Sequence, residues 1–284
     1  MGFTIATNVS SLNAMRNLTL NQTAQSKSVE RLSSGLRINR AADDAAGLAI
    51  SEGLKNQISG LQVAGRNAQD GISLIQTAEG ALTEVHNILN RVRDLAVQAS
   101  NDTNNADSRT AIQAEITAQA AELSRIATST NFNGIDLLTT AAAGADLKIQ
   151  VGANAGAANN EIAVSLTDIQ AVATAVGNID VAGGADQPAN QVAASAAITT
   201  LDTQIKNVST ARADLGAQQN RMESTARSIA VSIENLSAAN SRIRDTDMAQ
   251  EMGNFTKSQI LSSAATAMLA QANQMNSGVM QLLQ

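Results

Sequence analysis

Residues 54–99, LKNQISGLQVAGRNAQDGISLIQTAEGALTEVHNILNRVRDLAVQA, decide the fold. Apolar or small residues fall at Leu54, Ile58, Leu61, Gly65, Ala68, Ile72, Ile75, Ala78, Leu82, Val85, Leu89, Val92, Ala96 and Ala99. The steps alternate between four and three, apart from one repeated three from Ile75 to Ala78. This is a heptad seam with a single stammer, so the stretch predicts one long helix packed along one face.

Two further stripes follow the same rule. Ile198, Leu201, Ile205, Val208, Leu215, Met222, Ala226, Ile229, Ile233, Leu236 and Ile243 form a second long seam, with polar Arg212, Gln219 and Asn240 in register. A shorter one uses Ile112, Ile116, Leu123 and Ile126. Each long seam advances 45 residues (99 − 54 and 243 − 198), or about 68 Å of helix at ~1.5 Å per residue. A compact globule of 284 residues would be only ~50 Å across. The expectation is therefore a rod: a mainly α fold, an elongated antiparallel helical bundle or coiled coil. The two long helices lie side by side, and Asn101 to Asp107 turns the chain into the shorter one.

The pattern breaks in the middle. TNFNGIDLL supplies an Asn133-Gly134 turn, and LKIQV (147–151) with EIAVSL (161–166) alternates as a small β-hairpin spanning about 146–167. Residues 170–195, with Gly183-Gly184 and the sole proline, Pro188, read as a short variable insertion or linker.

Composition narrows the function. Aromatics are 1% of residues, so the ring-lined pocket of a typical ligand-binding enzyme is not expected. A net charge of −6 argues against a nucleic-acid partner, and the absence of cysteine removes disulfides, thiolate zinc sites and cysteine nucleophiles. The first charge is Arg16, and Thr, Asn and Ser interrupt the opening MGFTIATNVSSLNAM, which is unlike a cleaved secretory signal. Residues 258–284 carry no charge, but Ser, Asn and Gln recur through them, so no membrane span is expected.

Chemistry-bearing motifs are sparse. No phosphate-binding loop, zinc helix or calcium loop occurs, and the only histidine, His86, reads as a solvated residue on a helix surface. Asp245, Asp247 and Glu251 could be imagined as metal ligands, yet with Arg242 and Arg244 beside them they read better as a salt-linked helix end. The sequons Asn17-Leu18-Thr19 and Asn254-Phe255-Thr256 fall on expected helices and receive no function. No catalytic residue and no cofactor is assigned.

The ends of the chain carry weaker stripes. Leu261, Ala265, Met268, Ala272, Met275, Val279 and Leu282 keep heptad spacing with small or flexible side chains. Ile5, Val9 and Leu12 begin a stripe that Val29, Leu32 and Leu36 resume. Such seams bury little apolar area per turn, so both ends should order by pairing with each other and with neighbouring subunits. Leu261, Met268, Met275 and Leu282 are candidate polymer contacts. So is the charged cluster Arg31, Arg37, Arg40, Asp43 and Asp44 in RLSSGLRINRAADD; its plainer reading is a solvated linker.

The segments ATNVSSLNAMRNL, SVERLSSGLRINRAADDAAGLAISEGLKNQI, NRVRDLAVQASN, FNGIDLL, SRIRDTDMAQEM and QILSSAATAMLAQANQ closely resemble bacterial flagellin over about residues 1–138 and 198–284. LKIQVGAN is similar to the family's β-hairpin. The resemblance implies a filament subunit for swimming motility, with a terminal coiled-coil domain lining the filament lumen (1–42 with 241–284). A rod-shaped helical domain would comprise 43–169 with 196–240. It also implies unfolded export through a flagellar type III channel without a cleaved signal, and an extracellular location in the filament. The partners it implies are other copies of the chain, an export chaperone on about residues 245–284, and the hook-junction and filament-cap proteins. The large outer domains common in the family have no counterpart beyond residues 170–195. In similar flagellins, the surface matching Arg91 and Leu95 in NRVRDLAVQ and Glu115 in IQAEI packs on the next subunit. In free monomers that surface is bound by the innate Toll-like receptor that senses flagellin. Leu95 lies off the Leu89, Val92, Ala96 seam, so it is expected to be exposed. The alternative function is a cytoplasmic coiled-coil adaptor or scaffold, which would share the heptads but needs neither weak ends nor these segments.

Overall fold

The computed structural model describes residues 7–143, 146–183 and 187–281. In chain order the elements are α1 (Val9–Ser34), α2 (Ala45–Ala99), α3 (Ala106–Ser129), β1 (Asn131–Phe132), β2 (Ile135–Asp136), α4 (Thr140–Ala143), β3 (Leu147–Gln150), α5 (Ala157–Asn160), β4 (Glu161–Val164), α6 (Ile169–Gly177), α7 (Gln187–Arg244) and α8 (Met248–Gln281). The fold is mainly α, as expected, and Pro188 sits in the first turn of α7, where no intrahelical N–H is required. Among the described residues no helix is long and apolar enough to cross a membrane. The chain forms two compact units, Gln57–Ile233 and the combination of Met1–Asn56 with Glu234–Gln284.

In the central unit the α2 seam is the core. Ala68, Ile72, Ile75, Ala78, Leu82, Val85, Leu89, Val92, Ala96 and Ala99 are all buried. Across from them lie Leu201, Val208, Leu215, Met222 and Ile229 of α7, with Ile112, Ile116 and Leu123 of α3 in the same cluster. Three contacts fix α2 and α7 as antiparallel. Arg93 Nε donates to Asp202 Oδ1 at 2.6 Å, Arg212 Nη2 to Glu79 Oε1 at 2.9 Å, and a Cβ built on Gly65 would touch Ile229 Cγ2 at 3.7 Å. The partner number rises along α7 as it falls along α2.

The turn into α3 is held by Asn105, whose Oδ1 accepts from Ser108 N at 2.7 Å, and by a buried cation that periodicity does not reveal. Arg109, 2% exposed, directs its guanidinium to the Asn101 and Asn104 carbonyls, each 3.4 Å away. Further on, Asn133 (φ 52°) and Gly134 (φ 79°) occupy the left-handed region between paired Phe132 and Ile135, the type I′ geometry that an Asn-Gly pair favours.

The second hairpin pairs Leu147 with Val164 and Ile149 with Ile162, facing the buried side. It lies against α2 because that surface has been cut down. A Cβ on Gly71 would come within 2.7 Å of Met222 Cε and 3.3 Å of Ile149 Cγ1, and one on Gly60 within 2.8 Å of Ala153 Cβ. Asn67 Nδ2 completes the junction, donating to the Gln150 carbonyl at 3.0 Å.

The linker reading of residues 170–195 is corrected here. Ile169, Val172, Ala173 and Val176 are buried on one face of α6, which packs against α3, and Ile179 and Val181 follow them into the core. Asp168 caps the helix by accepting from Ala171 N at 3.0 Å. Gln113 on α3 then serves as a substitute peptide group: its Nε2 donates to Ile179 O and its Oε1 accepts from Val181 N, both at 2.8 Å. The stripe of α6 is short and lies among Ala and Gly, which hides it in the sequence, but it has the i, i+3, i+4, i+7 spacing of a buried helix.

In the other unit, α1 and α8 pair antiparallel, since Asn8 Nδ2 donates to Ala272 O at 3.0 Å while Ser28 meets Glu251 at the opposite end. Two loops join here. Gly35 ends α1 in the left-handed conformation (φ 71°), and its carbonyl accepts from Thr246 N at 3.0 Å. Arg37 N donates to Arg244 O at 2.6 Å, and Leu36 bridges to Asp245. Asp43 Oδ2 accepts from the amides of Asn39 and Arg40 at 3.2 and 3.1 Å, and Asp44 Oδ1 caps α2 through Gly47 N at 2.9 Å. Ser51 donates to Asn240 Oδ1 at 2.7 Å, and Arg244 Nη1 to Glu52 Oε1 at 2.7 Å.

Two tests follow from these contacts. Gln113→Leu keeps the bulk but leaves the Ile179 carbonyl and Val181 amide without their partner, so it should lower unfolding stability by about 1–3 kcal/mol; thermal denaturation with unchanged native helicity is the readout. The backbone amides of Arg40 and Asn39 hold the Asp43 carboxyl below its ordinary value. A depressed folded value means that its contribution is complete above the ordinary value of 3.8 and is lost as the pH falls through the lower folded value. In an NMR titration the Asp43 carboxyl should turn over at lower pH than a free aspartate, with the Asn39 and Arg40 amides shifting in step.

Candidate assembly interface

The pairing of α1 with α8 is unusual in what it buries. On α1 only Ser28 is fully buried, and on the described part of α8 only Glu251. Ser28 Oγ donates to Glu251 Oε1 at 2.5 Å, and Arg31 Nη1 lies 3.7 Å from Glu251 Oε2. Leu18 and Leu32 on α1 and Phe255 and Leu269 on α8 are half-buried, but many other apolar side chains point elsewhere. Val9, Leu12, Met15, Leu20 and Val29 on α1, and Met248, Met252, Ile260, Leu261, Met268 and Met275 on α8, are all exposed. The α8 stripe is thus split, with Leu261, Met268 and Met275 on the surface and Ala265 and Ala272 half-buried, where the seams of α2 and α7 mark a core.

Two concavities lie on this surface. One is a shallow apolar depression of about 570 Å³ along α8, floored by Met252, Gly253, Thr256, Ile260 and Leu261 with Lys257 at its edge. The other is a cleft of about 310 Å³ between α1 and α8, where Lys27, Arg31 and Lys257 surround the Ser28–Glu251 bond. Neither is enclosed by aromatic walls, and neither gathers a nucleophile with a base.

The sequence-derived sites map as follows. Leu261, Met268 and Met275 lie on the exposed α8 surface, and Leu282 lies outside the described residues. The charged cluster is not a solvated linker, because most of it is committed within the chain. Arg31 faces Glu251, Arg37 Nη2 donates to Ile243 O at 2.7 Å, Asp43 organises the loop and Asp44 caps α2. Arg40 donates to Glu30 at 2.9 Å from a mostly exposed position. Asp245, Asp247 and Glu251 do not converge: Asp245 accepts from Ser241, Asp247 caps α8 through Ala249 N and Gln250 N, and Glu251 holds Ser28. Among the described residues no three metal-binding side chains are grouped. His86 is half-buried on α2, and its Nδ1 is buried without a hydrogen-bond partner, so the fully solvated reading is corrected.

On the central unit, Arg91 donates through Nε and Nη2 to Glu115 Oε1 at 2.9 and 2.7 Å, bridging α2 and α3 on an exposed face. Leu95 is not beside them in solvent. It is 3% exposed and belongs to the core, which corrects the expectation of a free apolar contact. The physical reason is that α2 is covered on more than one side. A residue off its main seam can still face another packed element, and Leu74 is buried in the same way.

The chain matches the model of the bacterial flagellin N-terminal helical region over residues 5–143 and that of the bacterial flagellin C-terminal helical region over residues 198–283. It is 48% identical to the flagellin of Bacillus subtilis (strain 168), covering 97% of this chain and 98% of that one. It is 49% identical to the flagellin of Halalkalibacterium halodurans, again over 97% and 98% of the two chains. A flagellar filament 31.3 kDa core protein of Treponema maltophilum is 44% identical over 98% of each. With both helical regions matched in order and relatives aligned from end to end, the chain belongs to the bacterial flagellin family.

Proposed function

We propose that this chain is a structural subunit of the bacterial flagellar filament whose terminal helices α1 and α8 are completed by neighbouring copies, so that assembly finishes a fold the free subunit leaves half packed. The observation that carries this is the thin burial of the pair: among the described residues its only buried side chains are a hydroxyl and a carboxylate, and large apolar side chains such as Leu12, Met15, Ile260, Leu261 and Met268 stay exposed. Burying apolar surface contributes about 25 cal/mol per Å², so these residues are a reservoir of association energy. The tight α2–α7 core supplies a body that is already stable when the ends find partners. Arg40, exposed beside the paired loops, is the member of the charged cluster best placed to reach a neighbour. The same exposed α8 offers a surface for an export chaperone, and the filament ends for hook-junction and cap proteins. Export through a type III flagellar channel suits a chain with weak termini and leads to the extracellular filament.

A second reading concerns an innate receptor for the free subunit. Arg91 and Glu115 present a fixed guanidinium–carboxylate pair on an exposed face. Leu95 supports that face from within instead of touching a partner.

Two experiments check these readings. Ile260→Lys with Leu261→Lys changes side chains that are exposed in the subunit, so monomer helicity should be unchanged while filament growth, followed by light scattering and electron microscopy, is abolished; normal filaments would refute the assembly reading. For the receptor, Arg91→Ala should weaken binding of monomeric protein by ~1 kcal/mol or more if the pair is an anchor. Leu95→Ala should instead lower unfolding stability by roughly 2–5 kcal/mol, as loss of a buried leucine does. Undiminished receptor binding by Arg91→Ala would remove this face as the contact.

A further inference from the structure

Methionine is distributed in this chain in a way that packing alone does not explain. Of its eight methionines, Met222 is in the central core and is fully buried, at 0% exposure. Met15 on α1 and Met248, Met252, Met268 and Met275 on α8 are all exposed, Met268 at 67%. The chain has no cysteine, tryptophan or tyrosine, so methionine thioethers are its principal oxidisable side chains. The readily oxidised atoms are therefore concentrated on the surface assigned to assembly.

We propose that Met15, Met248, Met252, Met268 and Met275 form an oxidation-sensitive modification site for peroxides, and that their conversion to sulfoxide blocks polymerisation of the free subunit. The proposal rests on the assembly reading given above. In the reaction the thioether sulfur attacks one peroxide oxygen and the O–O bond breaks. An S–O bond forms, the sulfur is oxidised by two electrons, and the second oxygen leaves as water. The product replaces a flexible apolar side chain with a polar one bearing a strong hydrogen-bond acceptor. On an exposed helix that oxygen is hydrated, so the folded subunit tolerates it. Against a neighbouring apolar helix face it must lose its water, and a buried acceptor without a donor opposes association. Met252 sits in the apolar depression with Ile260 and Leu261, where a sulfoxide would place this penalty directly. Assembly in turn protects the sulfurs, because packing excludes the oxidant. The device therefore acts on subunits before incorporation and leaves a grown filament intact.

The test is to expose purified monomer and preformed filaments separately to hydrogen peroxide, map oxygen uptake by peptide mass spectrometry, and then measure seeded growth. In the monomer the five surface methionines should each gain one oxygen at least about tenfold faster than Met222, and in filaments they should be spared. Oxidised monomer should keep its helicity, elongate filaments at least about tenfold more slowly, and recover after treatment with methionine sulfoxide reductases of both stereospecificities. A variant with all five positions changed to Leu should elongate equally well before and after peroxide. If that variant does not elongate at all, recovery of the wild type by reductase decides the matter. Oxidation of Met222 as fast as the surface five, unchanged elongation by oxidised wild type, or failure of the reductases to restore it would each overturn the proposal. Untreated monomer that cannot elongate at all would overturn the assembly reading and this inference with it, whereas normal growth of both untreated and oxidised protein overturns the inference alone.

Discussion

The small and aliphatic seam along α2 is the constraint on which the central unit depends. Ala64, Ala68, Ala78, Ala96 and Ala99 alternate with larger buried residues such as Ile75, Leu82, Leu89 and Val92. Alanine allows neighbouring backbones to approach, and the larger residues then fill the spaces between them, as close packing requires. Gly71 and Gly60 extend the same economy to the hairpin, leaving room for Ile149, Met222 and Ala153 where any side chain would intrude. With so few aromatic residues available, this unit gains its burial from the length of a continuous seam and not from a wide interior.

The terminal helices follow the same heptad arithmetic with the opposite result. A periodic apolar stripe states that one face must be covered, but it does not state by what. On α2 the cover is α7, α3 and the hairpin of the same chain. On α1 and α8 the two helices half-bury a few apolar residues such as Leu18 and Leu269 and are pinned by polar groups, Ser28 with Glu251 and Asn8 with the Ala272 carbonyl. Buried polar contacts of this kind add little net stability but specify register strongly, since a slip would strand a carboxylate without its donor. The pair is thus aligned by hydrogen bonds while its apolar faces remain open.

Much of this was legible in the sequence, and where it was not, the reason is physical. The seams of α2, α3 and α7, the Asn133-Gly134 turn and the hairpin strands all announce themselves through short-range periodicity or turn chemistry. The α6 helix has the right spacing at Ile169, Val172, Ala173 and Val176, but so short a stripe carries little weight until Gln113 is seen clamping the segment that follows. Leu95 is not legible as core because a single seam is only part of the buried surface of a helix packed on several sides. Arg109 and Glu251 were invisible as buried groups, since a charged residue becomes an internal fastener only when tertiary structure brings carbonyls or a hydroxyl to it. Of the candidate assembly residues, the apolar ones on α8 were readable from spacing, whereas the charged loop looked like surface and is largely occupied with joining two loops of its own chain.

That loop junction aims the terminal helices. Gly35 and Arg37 on one side and Ile243, Arg244 and Thr246 on the other are linked mostly through backbone groups, which fixes where α1 ends and α8 begins. Such hydrogen bonds are insensitive to side-chain size but sensitive to backbone geometry, and the left-handed Gly35 sets that geometry on the α1 side. A substitution confined to the open faces of α1 and α8 therefore leaves the junction alone, whereas one at Gly35 acts on the junction first. The contacts that aim the terminal helices are thus separate from the exposed apolar faces, so under the proposed assembly the two do not compete for the same surface.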